Sequence, residues 1–121
     1  MLSQIPIDFN KVKKEDIDKE ILRVGIIAEL DAINLYEQMA AITENETIRR
    51  TLLDIAKEEK THVGEFQALL LREDEEQERE LEKGKKKSEK RQKQEKKYCR
   101  DFYQGKKEKY RNQSDNSRMG K

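Results

Sequence analysis

Two apolar stripes with helical spacing, joined by only a few residues, constrain the fold of this chain more than any other feature. The first stripe lies within residues 15–42 and the second within residues 45–72, and neither contains proline. Apolar side chains three and four residues apart share one face of an α-helix. Helices joined by so short a connection pack antiparallel, as a hairpin. The pattern predicts an all-α fold built on an antiparallel two-helix hairpin, without strands.

Signals for the ends of helices divide the chain further. The segment Thr43-Glu44-Asn45-Glu46 has the form of a capping box, in which the Thr43 hydroxyl accepts a backbone amide and Glu46 reaches back. The second helix is therefore expected to begin near Asn45. Asp74 is a candidate cap for a short third helix that ends near residue 83.

Charge and apolar content change abruptly near residue 83. Residues 1–82 carry 11 basic and 21 acidic side chains, a net charge of −10, whereas residues 83–121 carry 16 and 5, a net charge of +11. The second part contains no Leu, Ile, Val or Ala, so it cannot bury enough surface to offset the entropy of ordering. We predict an N-terminal arm (1–14), a helical domain (15–83) and a basic, disordered tail (84–121).

Several classes of protein are excluded by the sequence. The longest apolar run, residues 24–28, is too short to span a bilayer, and the first residues lack the layout of a signal peptide. A single cysteine, Cys99, permits no intramolecular disulfide and no Cys-rich zinc site. We expect a cytoplasmic protein without a membrane partner. A helical domain of this size is small for a self-sufficient core, so an oligomer is expected.

Charged residues interrupt both apolar stripes. The first stripe comprises Leu22, Ile26, Glu29, Ile33, Tyr36 and Ala40, and the second comprises Ile48, Leu52, Ile55, Glu59, His62, Phe66 and Leu69. A carboxylate in an apolar seam is costly unless it is paired. Glu59 and His62 are one turn apart on one face, so they can bind a cation together, and oxygen plus nitrogen ligands suit iron, manganese or zinc. The structural alternative is a buried histidine that is simply hydrogen-bonded to a neighbouring glutamate.

The candidate ligands form half of a known set. Dimetal four-helix bundles use one Glu from each of two helices and a Glu-x-x-His motif from each of the other two. This chain has Glu29 and the pair Glu59 and His62, and a two-fold dimer duplicates every ligand. We therefore predict a homodimer that forms a four-helix bundle with two metal ions across its interface. Tyr36 is either a core residue or a hydrogen-bond donor beside the ligands, and Asp31 either a rim carboxylate or an accessory ligand.

Residues 28–38 (AELDAINLYEQ) and 54–66 (DIAKEEKTHVGEF) resemble the encapsulated ferritins, most closely the type that is fused to an encapsulin shell protein. The resemblance covers about residues 15–83. It implies a two-helix ferritin-like protomer that dimerises around a di-iron centre and assembles into a ring of dimers, a decamer. It also implies a ferroxidase that oxidises Fe(II) to Fe(III) with O2, for iron storage inside a cytoplasmic encapsulin nanocompartment.

The resemblance assigns roles by position. It implies that Glu29 is the ligand from the first helix, Glu59 the bridging carboxylate and His62 the terminal imidazole, with two iron ions per dimer. Tyr36 matches an aromatic position near the centre. Some members of the family carry carboxylates where iron enters, at the positions of Ala28 and Asp31. Ala28 has no carboxylate, so this chain lacks one of the two entry-site groups. No shell domain follows residue 83 and the last residues lack a Gly-Ser-Leu cargo peptide, so the resemblance supports the chemistry better than the route into a compartment.

A rival hypothesis is a non-enzymatic helical oligomer whose basic tail binds nucleic acid or an acidic partner. The tail places Tyr98, Phe102, Tyr103 and Tyr110 among lysines and arginines. Blocks of like charge are most often solvated linkers, so nucleic acid is not among the expected partners. An altered reading frame through A/G-rich codons would also produce this composition. A rubrerythrin-like peroxidase is disfavoured because there is no Cys-x-x-Cys motif.

Overall fold

Helices account for nearly all of the residues that the structure describes. The computed structural model describes Gln4 and residues 8–118; six residues of the predicted N-terminal arm, 1–3 and 5–7, lie outside the described residues. Two 3-10 turns, Phe9–Lys11 and Lys14–Asp16, precede the α-helices α1 (Ile17–Ile42), α2 (Glu46–Glu73) and α3 (Glu75–Arg118). The described residues include no strand, and none of their helices has the length and apolarity to cross a membrane. The prediction of an all-α fold with three helices is confirmed.

α1 and α2 form the predicted antiparallel hairpin. Contacts join the start of α1 to the end of α2, through Arg23 and Asp74, and the end of α1 to the middle of α2, through Glu37 and Lys60. The most deeply buried apolar side chains are Ile33, Ala40, Ala56 and Leu70. The two alanines leave little side-chain volume between the helices, so α1 and α2 can approach closely.

The cap of α2 differs from the prediction. The side chain of Asn45 accepts hydrogen bonds from the backbone amides of Thr47 and Ile48, at 3.0 and 3.2 Å. Thr43 instead lies at the end of α1, where its amide donates to the Met39 carbonyl. The prediction of Thr43 as the cap was wrong because asparagine caps at least as well as threonine and lies directly before the first helical turn.

The third helix is much longer than predicted. α3 continues from Glu75 to Arg118, so the prediction of disorder is wrong for residues 84–118. Those residues contain no proline and are rich in lysine, arginine, glutamate and glutamine, which form helices without burying surface. Ion pairs between successive turns, such as Lys86 with Glu82 at 3.5 Å, add local support. Lack of a core therefore did not mean lack of a helix.

The described residues divide into two units, one up to Glu78 and one from Arg79 onward. Asp74 organises the end of the first unit. One of its carboxylate oxygens accepts the Gln77 amide at 3.0 Å, and the other accepts Arg23 of α1 at 2.5 Å. The Gln77 amide, supported by Arg23, holds the pKa of Asp74 below its ordinary value. Asp74 thus caps α3, as predicted, and fastens the end of α2 to α1.

Candidate metal centre

The hairpin brings the three predicted ligands together. Glu29 lies in the middle of α1, and Glu59 and His62 lie one turn apart in the middle of α2. One potential ligand atom from each residue lies within 4.8 Å of the other two. The antiparallel packing of the two helices thus brings Glu29 together with two residues that follow it by 30 and 33 positions in sequence.

Distances within the cluster show how the groups share space. His62 Nδ1 lies 2.7 Å from Glu59 Oε2, within hydrogen-bond distance, and 3.7 Å from Glu29 Oε1. The Glu59 and Glu29 side chains are 17% and 20% exposed, whereas that of His62 is 47% exposed. Two largely buried carboxylates therefore face one imidazole nitrogen at the surface of the hairpin.

Electrostatics at the cluster favour a positive charge beside the two carboxylates, which either a protonated His62 or a bound cation can supply. Burial raises the pKa of Glu29 above its ordinary value, with a further contribution from the neighbouring Glu59 carboxylate, and His62 opposes this rise. The hydrogen bond to Glu59 raises the pKa of His62. Two carboxylates held this close repel each other, and a cation between them relieves the repulsion. The donor set of carboxylate oxygens and imidazole nitrogen fits iron, manganese or zinc.

Comparison with known proteins assigns the chain to a family. The family model for rubrerythrin matches residues 20–117. The chain belongs to the rubrerythrin family. The matched range includes the three clustered residues and most of the basic third helix.

Named relatives of this rubrerythrin-family chain refine the assignment. It is 61% identical over 80 residues to a ferritin-like–encapsulin shell fusion protein of Pyrococcus furiosus, covering 64% of this chain and 23% of that protein. It is 43% identical over 56 residues to an encapsulin nanocompartment cargo protein of Myxococcus xanthus, covering 46% of this chain and 43% of that protein. The chain thus spans less than half the length of either relative.

A crystal structure of the encapsulated ferritin domain from Pyrococcus furiosus has the same fold. It superposes with a TM-score of 0.59 at 57% identity, covering 69% of this chain and 88% of the other. The resemblance to the encapsulated ferritins is therefore confirmed.

The apolar stripe predicted to face inward on α2 divides into two rows. Ile48, Ile55, His62 and Leu69 are spaced by seven residues, and Ile48, His62 and Leu69 are each nearly half exposed. Helix α1 has a corresponding row of Ile21, Ala28, Leu35 and Ile42, whose two ends are exposed. We call these two heptad series the open rows. His62 therefore lies within an apolar row that one hairpin leaves partly exposed, with Ile55 half-buried.

A glycine missed by the sequence analysis packs beside the cluster. A Cβ atom at Gly25 would lie only 3.1 Å from two ring atoms of Phe66. Gly25 is one turn before Glu29, and Phe66 is one turn after His62. The ring thus packs directly on the α1 backbone next to the candidate ligands. The available signal was a glycine in the middle of a helix, which weakens the helix unless close packing requires it.

Gly25→Leu should destabilise the protein by about 1–3 kcal/mol, because the new side chain must displace the Phe66 ring. Gly64→Leu is the matched control, since no atom lies within 4 Å of a Cβ at that position of α2. It should be neutral or stabilise by up to about 1 kcal/mol, because leucine favours helix. Urea unfolding of both variants measures the difference. Equal stability of the two variants would show that the Phe66 contact does not require glycine.

Asp31 is not part of the three-residue cluster, whereas Tyr36 lies on the same face of α1 as Glu29. Asp31 follows Glu29 by two residues, which places it roughly 200° around α1. Tyr36 follows Glu29 by seven residues, which places it on the same face two turns away, half-buried. A role for Tyr36 as a hydrogen-bond donor, or for Asp31 where a cation enters, stays a prediction.

Proposed function

We propose that two copies of this chain form a four-helix bundle in which Glu29, Glu59 and His62 of both copies bind two ferrous ions and promote their oxidation by O2. The observation that carries this proposal is the cluster itself: three ligand atoms within 4.8 Å, placed beside a partly exposed apolar row. A ferroxidase of this kind is a ferritin-like di-iron oxidoreductase, and its product is stored ferric iron.

The open rows support the dimer. A seven-residue apolar repeat is typical of helices that pack side by side in coiled coils and four-helix bundles. Each fully buried leucine or isoleucine stabilises an assembly by about 1.5–3 kcal/mol, so leaving the open rows in water is unfavourable. In a two-fold dimer the half-exposed His62 is covered, and the ligand set doubles. The site would then be complete only when two chains meet.

The residues of the cluster have distinct tasks in this proposal. The carboxylates of Glu29 and Glu59 stabilise the higher charge of the ferric product, and this favours electron loss. The Glu59 and His62 side chains, one turn apart on a rigid helix, hold their donor atoms in fixed geometry. Two ferrous ions held there would supply one electron each to one O2 molecule, which takes up two protons and leaves as hydrogen peroxide while both ions become ferric. The apolar neighbours of the cluster, including Phe66, limit the access of water to the two ions.

We further propose that dimers assemble into a ring, a decamer by family resemblance, that is enclosed by an encapsulin shell in the cytoplasm. The names of both curated relatives support this partner: one is a fusion to an encapsulin shell, and the other is a nanocompartment cargo protein. Co-expression with an encapsulin, followed by isolation of loaded shells, tests it. Empty shells in the presence of abundant protein would contradict the partnership.

Ferrous oxidation in air tests the catalytic proposal. The wild-type protein should oxidise Fe(II) well above the buffer rate, and Glu29→Ala, Glu59→Ala and His62→Ala should each return the rate close to that of buffer. Glu58→Ala is the control, because that carboxylate is exposed and adjacent to Glu59 but outside the cluster. Undiminished rates in all three ligand variants, or an equal loss in Glu58→Ala, would overturn the assignment.

A further inference from the structure

Three aromatic side chains are exposed on α3, within the second unit. Tyr98, Phe102 and Tyr103 are 71%, 50% and 66% exposed. Single exposed aromatic side chains are common, but a contiguous group of them marks a binding surface, because each ring can bury a large apolar area against a partner. Every described side chain from Glu78 to Lys109 is exposed, so within the second unit nothing covers these rings.

The rings form one connected surface. Tyr98 and Phe102 are one turn apart and nearly parallel, with ring centres 6.4 Å apart and planes inclined by 18°. Tyr103 meets Phe102 edge-on at 5.9 Å, and Lys106 Nζ lies 4.5 Å from the centre of the Phe102 ring. The helix therefore presents flat aromatic faces and ammonium groups side by side. We call Tyr98, Phe102, Tyr103 and Lys106 the aromatic–basic ridge.

The surroundings of the ridge are strongly basic. Residues 83–121 carry 16 basic and 5 acidic side chains. The exposed cations nearest the rings in sequence are Lys96, Lys97, Arg100, Lys106 and Lys107. Such a density of positive charge attracts polyanions, and the attraction weakens with salt as counterions are released.

The composition of α3 selects among polyanionic partners. A helix that docks on an anionic bilayer or on an amphipathic acidic helix presents an apolar face over several turns. Residues 83–121 contain no Leu, Ile or Val, and residues 83–97 contain no apolar side chain at all, so the apolar surface is limited to the short segment that holds the three rings. Unpaired bases have flat faces that stack on aromatic rings, while their phosphates pair with lysine and arginine. We propose that the aromatic–basic ridge binds single-stranded nucleic acid without sequence preference. The charge of this segment alone predicted a solvated linker without a nucleic-acid partner. The exposed rings, which contact one another, favour a nucleic-acid partner instead.

Fluorescence anisotropy with two labelled oligomers tests this proposal on the 121-residue chain. One is an oligothymidylate, and the other is an abasic oligomer with the same number of phosphates. Stacking should make the oligothymidylate bind about tenfold or more tightly than the abasic strand, because each stacked base contributes on the order of a tenfold gain. The affinity for both strands should fall as salt is raised.

A triple variant, Tyr98→Ala/Phe102→Ala/Tyr103→Ala, should remove the preference for bases and leave the weaker binding to phosphates. The control, Ser88→Ala/Gln92→Ala/Gln94→Ala, changes three exposed residues of the same helix and keeps its charge. Circular dichroism should be measured for both variants to check that α3 remains helical. Equal affinity of the wild-type protein for the two oligomers, absence of binding, or binding only to vesicles that contain phosphatidylserine would each overturn the proposal.

Discussion

Glu29→Gln should raise the melting temperature of the metal-free protein and should also weaken its binding of ferrous ions by at least about 100-fold. In the metal-free hairpin the Glu29 carboxylate is largely buried beside Glu59, and both burial and the like charge disfavour its ionised form. Glutamine keeps the shape and removes the charge. We expect a rise of roughly 2–4 °C, which corresponds to about 0.5 kcal/mol in a domain of this size.

Binding should change in the opposite direction. An amide oxygen is a much weaker ligand than a carboxylate, and loss of even an outer partner of a metal ligand costs about 10- to 100-fold in affinity. We therefore expect the affinity for Fe(II), titrated without oxygen, to fall by at least about 100-fold. Thermal unfolding should be compared at one protein concentration, because the melting temperature of an oligomer depends on it.

Glu37→Gln is the matched control for both measurements. Glu37 is also on α1 and pairs with Lys60 at 2.6 Å, but both side chains are about half exposed. Its loss should leave Fe(II) binding unchanged and lower stability by no more than about 1 kcal/mol, as for other surface ion pairs. If Glu29→Gln kept wild-type affinity for Fe(II), Glu29 would not be a ligand. If it lowered the melting temperature, the pairing with His62 would outweigh the repulsion from Glu59.

The hairpin and its cluster were predictable from sequence because both depend on local periodicity. The face on which a helical residue lies follows from its spacing to its neighbours, so Glu29, Glu59 and His62 could be placed in the apolar stripes before any contact was known. The short connection then placed α1 against α2. The cap was predictable only to within two residues, since Thr43 and Asn45 are both suitable caps.

Other features depended on information that periodicity does not contain. The length of α3 was not predicted, because the absence of aliphatic residues shows only that the segment buries little surface. Helix formation depends instead on the helix propensity of each residue and on ion pairs between side chains on successive turns. The contact of Gly25 with Phe66 could not be predicted, because it depends on the register of α1 against α2. The division of the α2 stripe into a covered row and an open row likewise follows only from which side α1 occupies.

Leu69→Glu should convert the proposed dimer into monomers without altering any candidate ligand. Leu69 ends the open row that contains His62 and is nearly half exposed in a single chain. Two-fold symmetry places the substitution twice in one interface. Loss of two buried leucines costs about 3 kcal/mol or more, so the dissociation constant should rise by at least about 100-fold. Sedimentation velocity over a range of protein concentrations measures the shift.

Leu53→Glu is the control, because Leu53 is equally exposed but lies roughly 160° around α2 from Leu69. It should leave the dimer and the oxidation rate intact. The oxidation assay then separates assembly from chemistry. Ligand variants should be inactive at every protein concentration, whereas Leu69→Glu should recover activity per chain as concentration rises and dimers re-form. Full activity in a monomeric Leu69→Glu protein would show that one hairpin suffices, and a site shared between two chains would then have to be abandoned.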